Sequence, residues 1–226
     1  MSIFNRMSLL LSKEKIDFLN QKHVAVFGLG GVGGVALETL ARCGIEHFTL
    51  IDKDTFEETN LNRQILALHS NLGKKKVEEA QKHLLDINPK IKTHLFTDTI
   101  TLETDFSNYF TNKIDFILDC IDFIPGKVAL IKYALDHHIP FLSSMGAGWK
   151  MDCRQVKIVP FRQITGCPIA KKLRKELKET SCDFMCIASL EQGGVRKSGS
   201  IGSFMPVTAM FGLLGADYII HYLIKE

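Results

Sequence analysis

The residues Gly28-Leu29-Gly30-Gly31-Val32-Gly33 stand between an apolar run and a helical pattern, the setting in which a G-x-G-x-x-G turn cradles phosphate. Glycines permit the tight turn and the close approach of backbone to phosphate, and the helix start supplies unpaired N–H groups. Asp52 ends the next apolar run, where a carboxylate would take a ribose hydroxyl. A nicotinamide-dependent oxidoreductase would need no more than this. The segments that follow, Asp52-Lys53-Asp54, Asn60-Leu61-Asn62-Arg63-Gln64 and Gly73-Lys74-Lys75-Lys76, add two cation-bearing stretches. They suit a triphosphate, whose transfer and departing pyrophosphate need charge neutralised. Taken alone, the three lysines read as the solvated start of a charged helix. Asp119-Cys120-Ile121-Asp122 brings carboxylates to another strand end, where one would hold Mg²⁺ on the phosphates or merely cap the next helix.

The elements that position these residues alternate. The first 22 residues read as one helix with Leu9, Leu10, Ile16 and Leu19 apolar. Strands are expected at 24–27, 48–51, 91–96, 115–120 and 140–143, with helices at 32–43, 74–87 and 126–137, Pro125 suiting the first turn of the last. Beyond Trp149 come a short strand at 156–159, a basic helix at 168–178, a Gly/Ser-rich stretch at 193–203 and an apolar helix at 204–224. This rhythm predicts an α/β, doubly wound, mostly parallel sheet, with ligands beyond the carboxyl ends of the strands. We expect one domain over 1–226, with a nucleotide-binding part at 1–142 and a substrate-facing part at 143–226 that includes the C-terminal helix.

Taken together, Arg6 in Phe4-Asn5-Arg6, the glycine loop, Asp52-x-Asp54, Asn60-x-Asn62-Arg63-Gln64, Lys76 and Asp119-Cys120-x-Asp122 resemble the adenylating domain of ubiquitin-activating and ThiF/MoeB-like enzymes. The resemblance implies a Rossmann-like fold that binds ATP and Mg²⁺ and adenylates a carboxylate. It places Gly28, Gly30, Gly31, Gly33, Asp52, Asp54, Asn62, Arg63, Gln64 and Lys76 around the nucleotide and Asp122 on the metal. Arg6 would act with Arg63, Lys76 and Asp122 in catalysis, reaching the triphosphate of the neighbouring subunit of a homodimer. The later residues, Ser143-Ser144-Met145-Gly146-Ala147-Gly148 and Pro168-Ile169-Ala170-Lys171-Lys172-Leu173-Arg174, resemble the tRNA threonylcarbamoyladenosine dehydratases. The implied partner is tRNA, and the implied reaction is ATP-dependent closure of a ring in its modified adenosine. The alternative on the same fold is adenylation of the C-terminal glycine of a ubiquitin-like sulfur-carrier protein. Its zinc-binding members carry paired C-x-x-C motifs, which none of the six cysteines here forms.

Composition narrows the classes further. The 226 residues are 46% hydrophobic and 23% charged, which excludes a disordered chain. The formal charge of +3 is too small for wholesale phosphate coating. It is uneven: residues 143–226 hold 12 Lys+Arg against 7 Asp+Glu, and the rest 16 against 18. Lys150, Arg154, Lys157, Arg162, Lys171, Lys172, Arg174, Lys175 and Lys178 would track an RNA backbone, and Trp149 is either a stacking platform or core. Cys186, preceded by Met185, reads as structural. Unpaired cysteines and a charged N-terminal segment predict a cytoplasmic protein without a membrane partner; Pro206, Asp217 and His221 make 204–224 a buried helix rather than a span.

Overall fold

The structure, a computed structural model, describes residues 3–178, 183–191 and 201–225. Seven strands form one sheet in the order β3-β2-β1-β4-β5-β7-β6: β1 (His23–Phe27), β2 (His47–Ile51), β3 (Lys92–Phe96), β4 (Phe116–Asp119), β5 (Phe141–Ser144), β6 (Val156–Pro160) and β7 (Met185–Ser189). Every pairing is parallel except β6 with β7. β1 is buried along its whole length, as a central parallel strand requires, so it reads as an unbroken apolar run rather than an alternating one.

Helices cover both faces. On one, α2 (Gly33–Arg42), α3 (Lys76–Ile87) and α6 (Met205–Leu223) pack through Leu37, Leu40, Val77 and Phe211 against Val26, Phe48, Leu118 and Ile187. On the other, α4 (Ile124–Asp136) and α5 (Pro168–Glu176) bury Leu130 with Ala25 and Phe27, and Leu173 with Met145 and Ala188. α2 and α6 meet closely because position 212 is glycine: a Cβ there would lie 2.6 Å from the Val32 carbonyl oxygen. Among the described residues no helix is long and apolar enough to cross a membrane; α6 instead buries Val207, Phe211, Ile219 and Leu223 in the core.

Two expectations need correction. The N-terminal segment is not one helix. A 3-10 turn at Met7–Leu9 stops, and α1 (Lys13–Asn20) begins afresh because the Ser12 hydroxyl accepts the Lys15 N–H as an N-cap. Ile16 and Leu19 are buried, whereas Leu9 and Leu10 stay exposed. The second miss is β7, which inserts between β5 and β6. Of the predicted Gly/Ser-rich stretch at 193–203, residues 193–200 lie outside the described residues, as does Cys182.

At the amino end of the sheet His23 is buried, and its Nε2 lies 2.9 Å from Thr49 Oγ1. Burial, then the neighbouring His94 and His47, push its pKa down to about 4 from 6.5. The folded chain therefore refuses a proton that the unfolded chain accepts. Stability is complete above about pH 6.5 and falls as the pH drops towards 4, by on the order of 1–2 kcal/mol for a site with partial solvent access. Urea unfolding at pH 7 and pH 5 checks this: His23→Gln should lose less stability between the two than the parent, and an equal loss removes His23 as the source.

Candidate active site

The chain order places a crevice beyond β1. From β1 the chain moves outward to β2 and β3, then crosses back to β4 on the other side, leaving a gap at the carboxyl ends where ligands of open α/β sheets bind. A cavity of about 380 Å³ lies there.

The glycine loop forms its floor. Gly28 has φ +91°, and a Cβ there would stand 2.8 Å from the Cys120 carbonyl oxygen, so glycine alone lets β1 and β4 end side by side. A Cβ at Gly33 would fall 1.8 Å from the Gly28 carbonyl oxygen, which closes the turn directly into α2. Asp52 ties the loop to β2: its Oδ2 accepts the Leu29 N–H at 2.6 Å and its Oδ1 the Asp54 N–H at 2.9 Å. Burial pushes the Asp52 carboxyl above its ordinary range, with the charge of Lys76 pulling the other way.

Lys76 is not part of a solvated helix start. Its side chain is only 5% exposed, and its Nζ lies 3.2 Å from Asp54 Oδ2 at the cavity wall. Its neighbours Lys74 and Lys75 are exposed. Lys75, not Lys74, caps α3, so the third lysine is the first to turn inward. Arg63 and Gln64 also line the cavity. The Arg63 guanidinium donates to the Thr59 carbonyl and to Asn62 Oδ1. Gln64 is buried, and its Oε1 has no partner among the described residues, an acceptor that a ligand hydroxyl or water would satisfy. Asp122 stands exposed at the cavity edge, between Ile121 and Phe123.

Ten of the site residues read from the sequence thus share one cavity: Gly28, Gly30, Gly31, Gly33, Asp52, Asp54, Arg63, Gln64, Lys76 and Asp122. Two do not. Asn62 is exposed outside it, its amide 3.4 Å from the Ser203 carbonyl. Arg6 is exposed on the N-terminal segment, away from the cavity of its own chain. Of the two carboxylates where β4 ends, Asp119 is fully buried in an ion pair with Lys127 and does not line the cavity, leaving Asp122 as the one at hand. Sequence reasoning missed the wall residues Asp98, Thr99 and Ile100, which precede a crossing too irregular to show a period.

The far wall is Ser144, Met145, Gly146, Ala147 and Gly148, joined by Ile169 of α5. Trp149 follows with φ +60°, its backbone N–H donating to the Gly202 carbonyl and its ring packed on Gly202. The basic track expected in this region is thinner than its cation count. Lys150 is buried and donates to the Glu191 carbonyl, Arg154 pairs with Asp152, and Arg174 donates to the Phe161 and Ile164 carbonyls. Lys157, Lys171, Lys172, Lys175 and Lys178 stand exposed. Cys186 lies in the core of β7, burial pushing its thiol above the ordinary range, which suits structure and not attack.

The sequence matches the ThiF family over residues 4–226. It is 38% identical over 176 residues to the tRNA threonylcarbamoyladenosine dehydratase of Bacillus subtilis (strain 168), covering 78% of this chain and 69% of that protein. It is 36% identical over 169 residues to the enzyme of the same name from Escherichia coli (strain K12), covering 75% of this chain and 63% of that one. The structure superimposes on the crystal structure of the E. coli tRNA N6-threonylcarbamoyladenosine dehydratase in complex with AMP with a TM-score of 0.92 and 30% identity, over 98% of this chain and 94% of that chain.

Proposed function

This chain belongs to the ThiF family, and from that we propose that it is an ATP-dependent tRNA threonylcarbamoyladenosine dehydratase. In this reading the threonyl carboxylate of the modified adenosine attacks the α-phosphorus of ATP, and the bond to pyrophosphate breaks. A nucleophilic atom of the same modification then attacks the activated acyl carbon, AMP leaves, and the ring closes with net loss of water. The attack is intramolecular, so proximity replaces a protein nucleophile.

The observation that carries this reading is the single cavity in which the glycine loop, Asp52, Lys76, Arg63 and Asp122 converge, opening towards the wall at 144–148. The buried Asp52 would take the ribose, and Arg63 and Lys76 would hold the phosphates. The donor set fits Mg²⁺. Asp122 offers a carboxylate at the edge of the cavity that Arg63 and Lys76 also line, and Mg²⁺ ordinarily takes one or two carboxylates plus phosphate oxygens. Asp122 would be that carboxylate, and the ion would neutralise phosphate charge. The sulfur-carrier reading is not favoured by the relatives matched.

Liquid-chromatographic nucleoside analysis of tRNA from cells lacking the protein tests the reading. Open-ring threonylcarbamoyladenosine should accumulate at the expense of the cyclic form; an unchanged profile overturns it, as would tight nicotinamide binding without ATP binding.

The exposed lysines of α5 lead outward from Ile169, which suits contact with the tRNA backbone. Lys171, Lys172 and Lys175 changed together to alanine should lower the salt slope of tRNA binding by about 0.7–0.9 for each phosphate no longer neutralised, with ATP affinity unchanged. An identical slope places the RNA elsewhere. The exposure of Arg6 supports its action on a partner subunit. Mixed dimers of Arg6→Ala and Asp122→Asn chains should then recover part of the activity, since one of the two sites keeps both groups. No recovery in verified mixed dimers would place Arg6 in its own site.

A further inference from the structure

Behind the cavity, Lys127 Nζ and Asp119 Oδ2 form an ion pair of 2.7 Å between two fully buried side chains. The Ser143 hydroxyl donates to the same carboxylate oxygen at 2.6 Å and lies 3.3 Å from Lys127 Nζ. The other oxygen, Oδ1, accepts the Ile121 N–H at 3.0 Å. None of the three side chains lines the cavity.

A buried ion pair adds little stability over apolar side chains of similar volume, because desolvation offsets attraction. What distinguishes this one is the set of segments it joins. Asp119 ends β4, Lys127 lies in the first turns of α4, and Ser143 lies near the end of β5. The backbone N–H of Lys127 donates to the Phe123 carbonyl at 3.0 Å. Residues 120–123 are therefore fastened at one end by Asp119 and at the other by α4, and Asp122 rides on that span. The wall at 144–148 starts one residue beyond Ser143.

We infer that Lys127, Asp119 and Ser143 are positioning residues for adenylyl transfer: they fix Asp122 relative to the wall against which the acyl substrate lies. The inference rests on the ATP-dependent reading above. A shift of about 1 Å between reacting groups lowers a rate about 100-fold, and releasing either span permits such a shift without touching a ligand.

The test compares Asp119→Leu/Lys127→Met, which removes both charges at similar volume, with Ser143→Ala. Trp149, the single tryptophan, sits at the end of the 144–148 wall and reports on it by its emission. The double variant should unfold cooperatively and keep its KM for ATP within about threefold. Its kcat for AMP formation should fall about 100-fold, and its Trp149 emission should shift. Ser143→Ala should lose about tenfold in kcat, and Lys127→Arg should retain more activity than the double variant. A folded double variant with the parent's kcat, or a loss confined to KM, overturns the inference. If the double variant does not fold, Ser143→Ala decides it by the same readouts. If the unaltered protein forms no AMP, the functional reading fails, and unchanged Trp149 emission in folded variants would then sink the positioning role by itself.

Discussion

An Asp122→Asn chain is expected to fold like its parent and to form AMP about 10²–10³-fold more slowly. The expectation follows from where the carboxylate stands. Asp122 is exposed at the cavity edge, so removing its charge costs the fold little. Asparagine keeps the volume and loses the negative charge that, in the proposed reading, would hold an ion on the phosphates. Arg63→Ala should lose a similar factor, because the guanidinium lines the cavity and is held there by the Thr59 carbonyl and Asn62. Single-turnover AMP formation with modified tRNA, beside thermal unfolding, separates chemistry from folding. Parent-like turnover in either variant would remove that residue from the site.

Gly33→Ala should act on the fold and the ligand together. The added carbon would stand 1.8 Å from the Gly28 carbonyl oxygen, far inside van der Waals contact, so the turn must open. We expect about 1–3 kcal/mol of destabilisation and a loss of ATP affinity greater than about tenfold. Gly30→Ala is the control. The nearest atom to a Cβ there is Gln64 Nε2 at 3.9 Å, so the protein has room. Any loss of ATP affinity in that variant reports the approach of phosphate to the backbone. Calorimetric titration with ATP and thermal unfolding distinguish the two, and parent-like affinity in Gly33→Ala would place the phosphates elsewhere.

The contrast between these positions indicates what the linear sequence carries. The strand, glycine loop and helix at 23–42 are consecutive, and each local preference agrees with the next, so that unit was legible. Asp52 was legible because it closes a buried strand one unit later. Lys76 was harder: three adjacent lysines look alike until the helix start turns one of them inward. Asp119 and Ser143 stood out in their own motifs, but their junction through Lys127 did not, since the three belong to different elements and meet only after the crossover. β7 escaped because Met185-Cys186-Ile187-Ala188-Ser189 is a short run with small residues, and its position between β5 and β6 is decided by pairing partners far along the chain. The break before α1 was masked by leucines that extend a helical period across Ser12.

The glycine at position 212 brings the last helix of the chain against the residues that open α2, and Thr208 of the same helix packs on Gly31. Thermodynamic linkage makes such a contact work in both directions. Whatever coupling free energy joins the phosphate loop to the seam between α2 and α6 acts on the nucleotide and on the seam alike. A change that loosens that seam must weaken the nucleotide by the same factor. Slower amide exchange along α6 on adding ATP would be the visible sign that the chain's last helix takes part in holding its first ligand.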